Sequence, residues 1–229
     1  MTVQIVDSCL VLVLLLNFLT LASTRLKTVI YAVAFQGALL GIIYPVAHQA
    51  MLSHVEQHGV GGEALNLFRV LLLTGAFVLM KGFVIPRLLL RATREAHIRW
   101  QVESAIGVLP TLLIGAVGTG LALKFSETLP LLKLHTSLLV VPASLATVLT
   151  GFLFLTTRRK FVTLVVGYLI LENGIFIFGL LLVEALPVLV EVGVLLDLFV
   201  AVFVMGIIIY HVSQEFPSAS TEHLTALRE

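Results

Sequence analysis

Apolar positions along the chain fall in long unbroken runs. They show neither the two-residue alternation of a half-buried strand nor the narrow stripe of a surface helix. Seven runs can be laid out, at about 3–22, 27–48, 64–86, 104–124, 135–156, 161–183 and 188–212. Each is close to the ~20 residues that carry an α-helix across a bilayer core of about 30 Å. Their richness in Leu, Val, Ile and Ala favours helices over barrel strands. The expected fold is all-α integral membrane, with seven transmembrane helices. It divides into a four-helix region over 1–134, a three-helix region over 135–212 and a tail over 213–229.

Composition agrees. Of 229 residues 59% are apolar and 12% charged, against about 45–50% and 25% in soluble domains. No room is left for a separate soluble domain. The formal net charge of +1 hides a strong asymmetry. Of the 14 Lys and Arg, 11 fall in one set of loops, around Arg25, Lys81 to Arg99, Arg158 to Lys160 and Arg228; Lys124 and Lys133 fall in the other set. Basic loops stay in the cytoplasm, so the N-terminus is expected outside and the C-terminus inside. A reporter active only outside the cytoplasm is expected to work when fused after Glu56 or Glu184 and to fail after Arg94. The reverse pattern would overturn this orientation. Residues 1–22 lack a basic start and a small-residue cleavage pattern, and read as a retained first span.

The remaining features modify this picture little. His48, His54 and His58 share one outer loop, with Glu56 and Glu63 as the acids near them; a solvated loop is the better reading than a metal site. Arg87, Arg91 and Arg94 share one face of a helix, so segment 87–103 reads either as a helix, lying on the cytoplasmic leaflet or extending the third span into a partner, or as a solvated basic loop. Gly107, Gly115, Gly118, Gly120, Ala143, Ser144 and Gly151 let helices approach closely in lipid. Thr24-Arg25-Leu26-Lys27 recurs as Thr157-Arg158-Arg159-Lys160, compatible with a 3+1+3 duplication or with the basic-loop rule acting twice.

Candidate chemistry lies inside the spans. Glu172 sits about 12 residues from Lys160 and from Glu184, hence near the bilayer centre at ~1.5 Å per residue. Asp197 lies in the outer half of the seventh run, and Arg69 at a comparable depth in the third. A mid-membrane carboxylate costs on the order of 2.5–3.5 kcal/mol even on mild scales. Glu172 and Asp197 are therefore candidates for a proton or ion path, and Arg69 for the charge partner of Asp197. The plain alternative is a neutral carboxyl satisfied by a neighbouring helix. Lys81, near the inner end of its span, is expected to snorkel to the interface. Gln36 and Asn17 read as helix–helix hydrogen-bond formers. The single Cys9 excludes an intrachain disulfide framework and a thiolate-held cluster or nickel site. Phosphate-loop, nucleophile-elbow, zincin and dinucleotide motifs are absent from the sequence, so no resident cofactor, metal or nucleic-acid partner is expected.

Residues 136–212 resemble the K subunit of bacterial complex I and the C subunit of multisubunit cation/proton antiporters. The resemblance is carried by Thr150-Gly151, Arg158-Arg159, Gly167, Glu172-Asn173 and an acid in the last helix. With seven spans, the whole layout is similar to hydrogenase-4 component E. Aligning the basic turn and Gly167 puts the family's second-helix glutamate at Leu169; here the acid is three residues on, at Glu172, one turn along nearly the same face. Asp197 stands where the family has a glutamate. The resemblance implies a non-catalytic subunit in a bacterial or archaeal cytoplasmic membrane. Its implied partners are antiporter-like membrane subunits and a hydrogenase or quinone-reductase module. A purely structural packing subunit and a small stand-alone transporter are the rival readings.

Overall fold

A computed structural model describes residues 2–52, 72, 74–95, 106–129, 139–158 and 161–182, together with isolated positions between 192 and 206. Arg69 and Asp197 lie outside the described residues, as does the His-rich loop apart from His48 at the end of its helix. Helices α1 (Thr2–Ala22) and α2 (Leu26–Leu52) form a hairpin. A helical stretch from 74 runs through a π-helical turn, Met80–Val84, into α3 (Ile85–Glu95). Then come α4 (Val108–Thr128), α5 (Val140–Thr157) and α6 (Phe161–Gly179), the last ending in a 3-10 turn, Leu180–Leu182. Among the described residues the chain is helical, and five helices (α1, α2, α4, α5 and α6) are long and apolar enough to cross a membrane. They match the first, second, fourth, fifth and sixth expected runs. The third run is described at 72 and 74–86, where it is helical, and the seventh falls largely outside the described residues.

The packing follows the two tight turns. The Ser23 hydroxyl accepts a hydrogen bond from the Arg25 N–H at 3.2 Å, a local turn that leads into α2. Four residues before Arg25 stands Leu21, and four after it Val29; at the same distances from Arg158 stand Phe154 and Val162, and all four are buried in one cluster. Val33 and Val166 repeat the match eight residues after each arginine. The α1–α2 and α5–α6 hairpins thus turn like faces towards each other, which brings the two repeated basic turns to one end of the bundle.

Two apolar clusters fill the interior. One, at the basic end, includes Leu21, Leu26, Ile30, Leu89, Phe154 and Val166. The other, at the far end, includes Leu10, Val13, Leu40, Ile43, Phe77 and Ile177. Between them lies a buried layer of Asn17, Gln36, Lys81, Thr147, Glu172 and Asn173. A polar slab inside two apolar ones is the reverse of an ordinary core, and it persists only if every group has a partner.

Glycine sets how closely α5 and α6 meet. A Cβ on Gly151 would stand 2.6 Å from the Leu171 main-chain nitrogen, and one on Gly174 2.6 Å from that of Val148. The two backbones are therefore in contact on both sides of the hairpin. Small residues act less uniformly on α4: Gly115 and Gly118 receive Leu21 and Leu149, whereas nothing lies within 4 Å of a Cβ on Gly120. The outer face of α4, with Leu109, Val117 and Leu121, is exposed in the bundle, as a lipid-facing helix requires. Of the basic segment 87–103, the part that is described, up to Glu95, is helical, and the remainder lies outside the described residues. Arg87, Arg91 and Arg94 are exposed along α3, while Leu89 and Thr93 are buried beneath it.

Candidate functional site

The site begins with Pro86. A proline has no N–H for the preceding turn, and its ring clashes with the carbonyl four residues back. The chain absorbs this with a wider turn, in which the Ile85 N–H reaches the Met80 carbonyl, five residues back. Lys81 sits in that turn. Opposite it, Gly37 leaves no side chain on α2; a Cβ there would stand 2.9 Å from the Lys81 Cβ. Widened backbone on one side and missing side chain on the other seat the lysine in the bundle. This corrects the expectation from sequence: Lys81 does not snorkel to the interface but turns inward, 5% exposed.

There its ammonium meets Glu172 and Asn173, neighbours on α6. Lys81 Nζ lies 3.2 Å from Glu172 Oε1, whose side chain is also 5% exposed. It donates to Asn173 Oδ1 at 3.2 Å. On its far side the ammonium stands 4.6 Å from the centroid of the Phe77 ring, a cation–π contact, and Phe77 stacks on Phe176 at 4.8 Å.

A chain of amides continues from the pair. Asn173 Nδ2 donates to Gln36 Oε1 at 3.4 Å, and Gln36 Nε2 to Asn17 Oδ1 at 3.1 Å. Asn17 Nδ2 donates to Thr147 Oγ1 at 2.8 Å, and the Thr147 hydroxyl to the Ala143 carbonyl at 2.7 Å. Gln36 and Asn17 are thus the helix–helix hydrogen-bond formers expected of them, bonded to each other. All donors point one way, from the lysine towards α5, so the dipoles align and reinforce one another. Every acceptor end faces the ammonium, which suits a cation at Lys81.

No family model and no solved structure matches the chain. A protein of Mycobacterium tuberculosis (strain ATCC 25618 / H37Rv) bearing the name Uncharacterized protein Rv0085 is 31% identical to it over 209 residues, which cover 89% of this chain and 87% of that one. The chain belongs to that protein's family. The likeness spans most of both chains and is not confined to one hairpin.

Chemically, the layer separates into two parts. The amides and Thr147 hold no proton that titrates near neutrality; they orient and neutralise. Only Lys81 and Glu172 can exchange a proton. Their contact allows a charged pair or, after transfer of one proton from Nζ to the carboxylate, a neutral pair with the same total charge. Outside the spans, Arg158 is buried over the Phe154 ring at 5.0 Å, and that burial lowers its pKa from the ordinary arginine value. Of the residues expected to act, the structure places Glu172 in the site. Lys81 is the group the sequence reading missed; the signal for it was Pro86 five residues on, with Gly37 able to receive it. Gly37→Ala is expected to displace Lys81 and cost about 1–3 kcal/mol, as overpacking does. Thermal unfolding in detergent would show it, with Gly75→Ala, which meets nothing within 4 Å, as the neutral control.

Proposed function

We propose that this chain is a non-catalytic membrane-arm subunit of a group 4 nickel–iron hydrogenase, formate hydrogenlyase or complex I-like assembly, contributing to a proton or ion path. The reading takes the chain as seven spans with the basic end in the cytoplasm. The observation that carries it is the Lys81–Glu172 contact, buried at mid-depth between two apolar clusters. Of the two acids within the apolar runs, Glu172 is the principal carrier in this proposal; Asp197 has the lesser part, because pairing with Arg69 would hold it ionised. A packing subunit would use the same layer only to fix helix register, a role buried ion pairs also have.

Glu172→Gln separates the two readings. Glutamine keeps an acceptor oxygen for the Lys81 ammonium but cannot take up and release a proton. The variant complex is expected to assemble and keep measurable redox activity while proton uptake into vesicles falls several-fold. Glu172→Asp, which keeps the proton and loses one methylene of reach, is expected to retain part of the uptake. Undiminished uptake in the glutamine variant would make Glu172 a structural residue.

A further inference from the structure

Two exposed stripes meet on the outside of the bundle. On α2, Lys27, Tyr31 and Phe35 recur every four residues, and Ala38 and Ile42 continue the line. On the helix that runs from 74 into α3, Leu79, Phe83 and Arg87, again four apart, are exposed, while Phe77, Lys81, Ile85 and Leu89 are buried. Gly41 meets Val78 and Gly37 meets Lys81, so the two helices run antiparallel. A Cβ on Gly82, three residues after Leu79, would stand 3.1 Å from the Ala38 Cβ, so the stripes lie side by side there. Tyr31, Phe35, Leu79 and Phe83 are each more than half exposed. From Ile42 on one helix and Leu79 on the other, the side chains change from aliphatic to aromatic to cationic towards the basic end. The Arg87 guanidinium lies over the Phe83 ring, 4.2 Å from its centroid. Along α3, Arg87, Arg91 and Arg94 face only one acid of the same helix, Glu95.

We propose that this face binds an anionic phospholipid, with the phosphate at Arg87 and the acyl chains along Phe83, Phe35 and Leu79. The proposal needs these helices to cross a membrane and owes nothing to the proton-path reading. A planar guanidinium can give two parallel N–H bonds to one phosphate. Held over an aromatic ring, the Arg87 guanidinium has less freedom left to lose on binding. Lys27, exposed at the basic end of the other stripe, adds positive charge at the head-group level. Basic residues between spanning helices favour anionic head groups, and aromatic rings such as Tyr31 suit the depth just below them. Ala38 and Gly82 are partly exposed and present at most a methyl, so acyl carbons can reach the seam between the helices. The outer face of α4 is the contrast. Leu109, Val117 and Leu121 are as exposed there, yet the one cation of α4 is Lys124, near its other end. That face suits any lipid, whereas the face of α2 and α3 selects by charge.

Native mass spectrometry of the full chain tests this, with the protein delipidated in detergent and given equal amounts of phosphatidylglycerol and phosphatidylcholine. Phosphatidylglycerol is expected to be retained in excess. Arg87→Ala is expected to lower its retention about fivefold, the factor that ~1 kcal/mol for one basic residue at a membrane surface produces. Arg87→Lys, which keeps the charge and loses the planar fork, is expected to fall between. Lys124→Ala is expected to change nothing. Equal retention of the two lipids overturns the proposal, as does undiminished retention in Arg87→Ala or a like fall in Lys124→Ala. The second measurement uses the unaltered protein in phosphatidylcholine vesicles that contain phosphatidylglycerol with a photoreactive diazirine in its acyl chain. Label is expected on the peptides of Phe35 and Phe83 in excess over the α4 peptide of Val117 and Leu121. Equal labelling would make the face ordinary lipid-exposed surface and overturn the proposal. In native membranes, a photoreactive phenylalanine analogue at Phe35 is expected to capture lipid; capture of a second protein chain there would make the face a subunit contact and overturn it too. Normal pumping by Glu172→Gln would defeat the proposed function and leave these results intact.

Discussion

Lys81→Met alone is expected to destabilise the protein by about 3–5 kcal/mol, because removing one partner of a buried pair leaves the other charge uncompensated. Methionine matches the lysine stem in length and flexibility, so packing against Gly37 and Phe77 is retained and the loss is electrostatic. Two acceptors are stranded: Glu172 Oε1 and Asn173 Oδ1, each at 3.2 Å from the ammonium. Adding Glu172→Met replaces the pair by apolar groups, a change that is often neutral for buried pairs. The double variant is therefore expected to recover part of the loss. About 1–3 kcal/mol should remain, the cost of an unsatisfied buried acceptor at Asn173. Unfolding in mixed micelles, read as a double-mutant cycle, measures the coupling. Additive single and double variants would show that the contact contributes nothing to the fold.

The second large effect is expected at the α5–α6 contact. Gly151→Val places its Cβ 2.6 Å from both the Leu171 Cβ and the Leu171 main-chain nitrogen, against the opposing backbone. A flexible side chain could move aside; a helix backbone can give only by separating from its neighbour. Overpacking typically costs about 1–3 kcal/mol and occasionally more, and valine here is expected at or above the top of that range. Because Leu171 is next to Glu172 and Asn173, separation of the helices also draws the acid away from Lys81. Loss of stability and, under the proposed function, loss of translocation should therefore appear together in Gly151→Val. Gly120→Val, on the open face of α4, should change neither. A Gly151→Val protein as stable as the parent would mean that α5 and α6 do not pack at this distance.

The long helices were legible in the chain because a bilayer imposes length and apolarity on each residue separately. The ranges expected for α1, α2, α5 and α6 differ from those observed by a few residues at most ends. Glu172 was legible for a related reason, since a carboxylate in an unbroken apolar run needs a partner wherever the run is placed. Gln36 and Asn17 could be read as hydrogen-bond formers, though not as each other's partners. For Arg69 and Asp197 the description stops short of them, and their pairing stays with the proposal.

Lys81 marks the boundary. Hydropathy records how deep a residue lies along a span and says nothing of which way its side chain points around the helix. Six residues from Arg87, a lysine on a regular helix reaches water. The wider turn before Pro86, the bare backbone at Gly37 and the Asn173 acceptor across the bundle turn it inward instead. Each belongs to a different element, so their joint effect exists only once α2, α3 and α6 are packed. The sequence by itself determined the five long apolar helices, the basic end and the buried acid. The tertiary structure alone decided that the acid has a lysine partner and that a row of amides supports it, because partners are a matter of azimuth and packing, which no run of residues carries on its own.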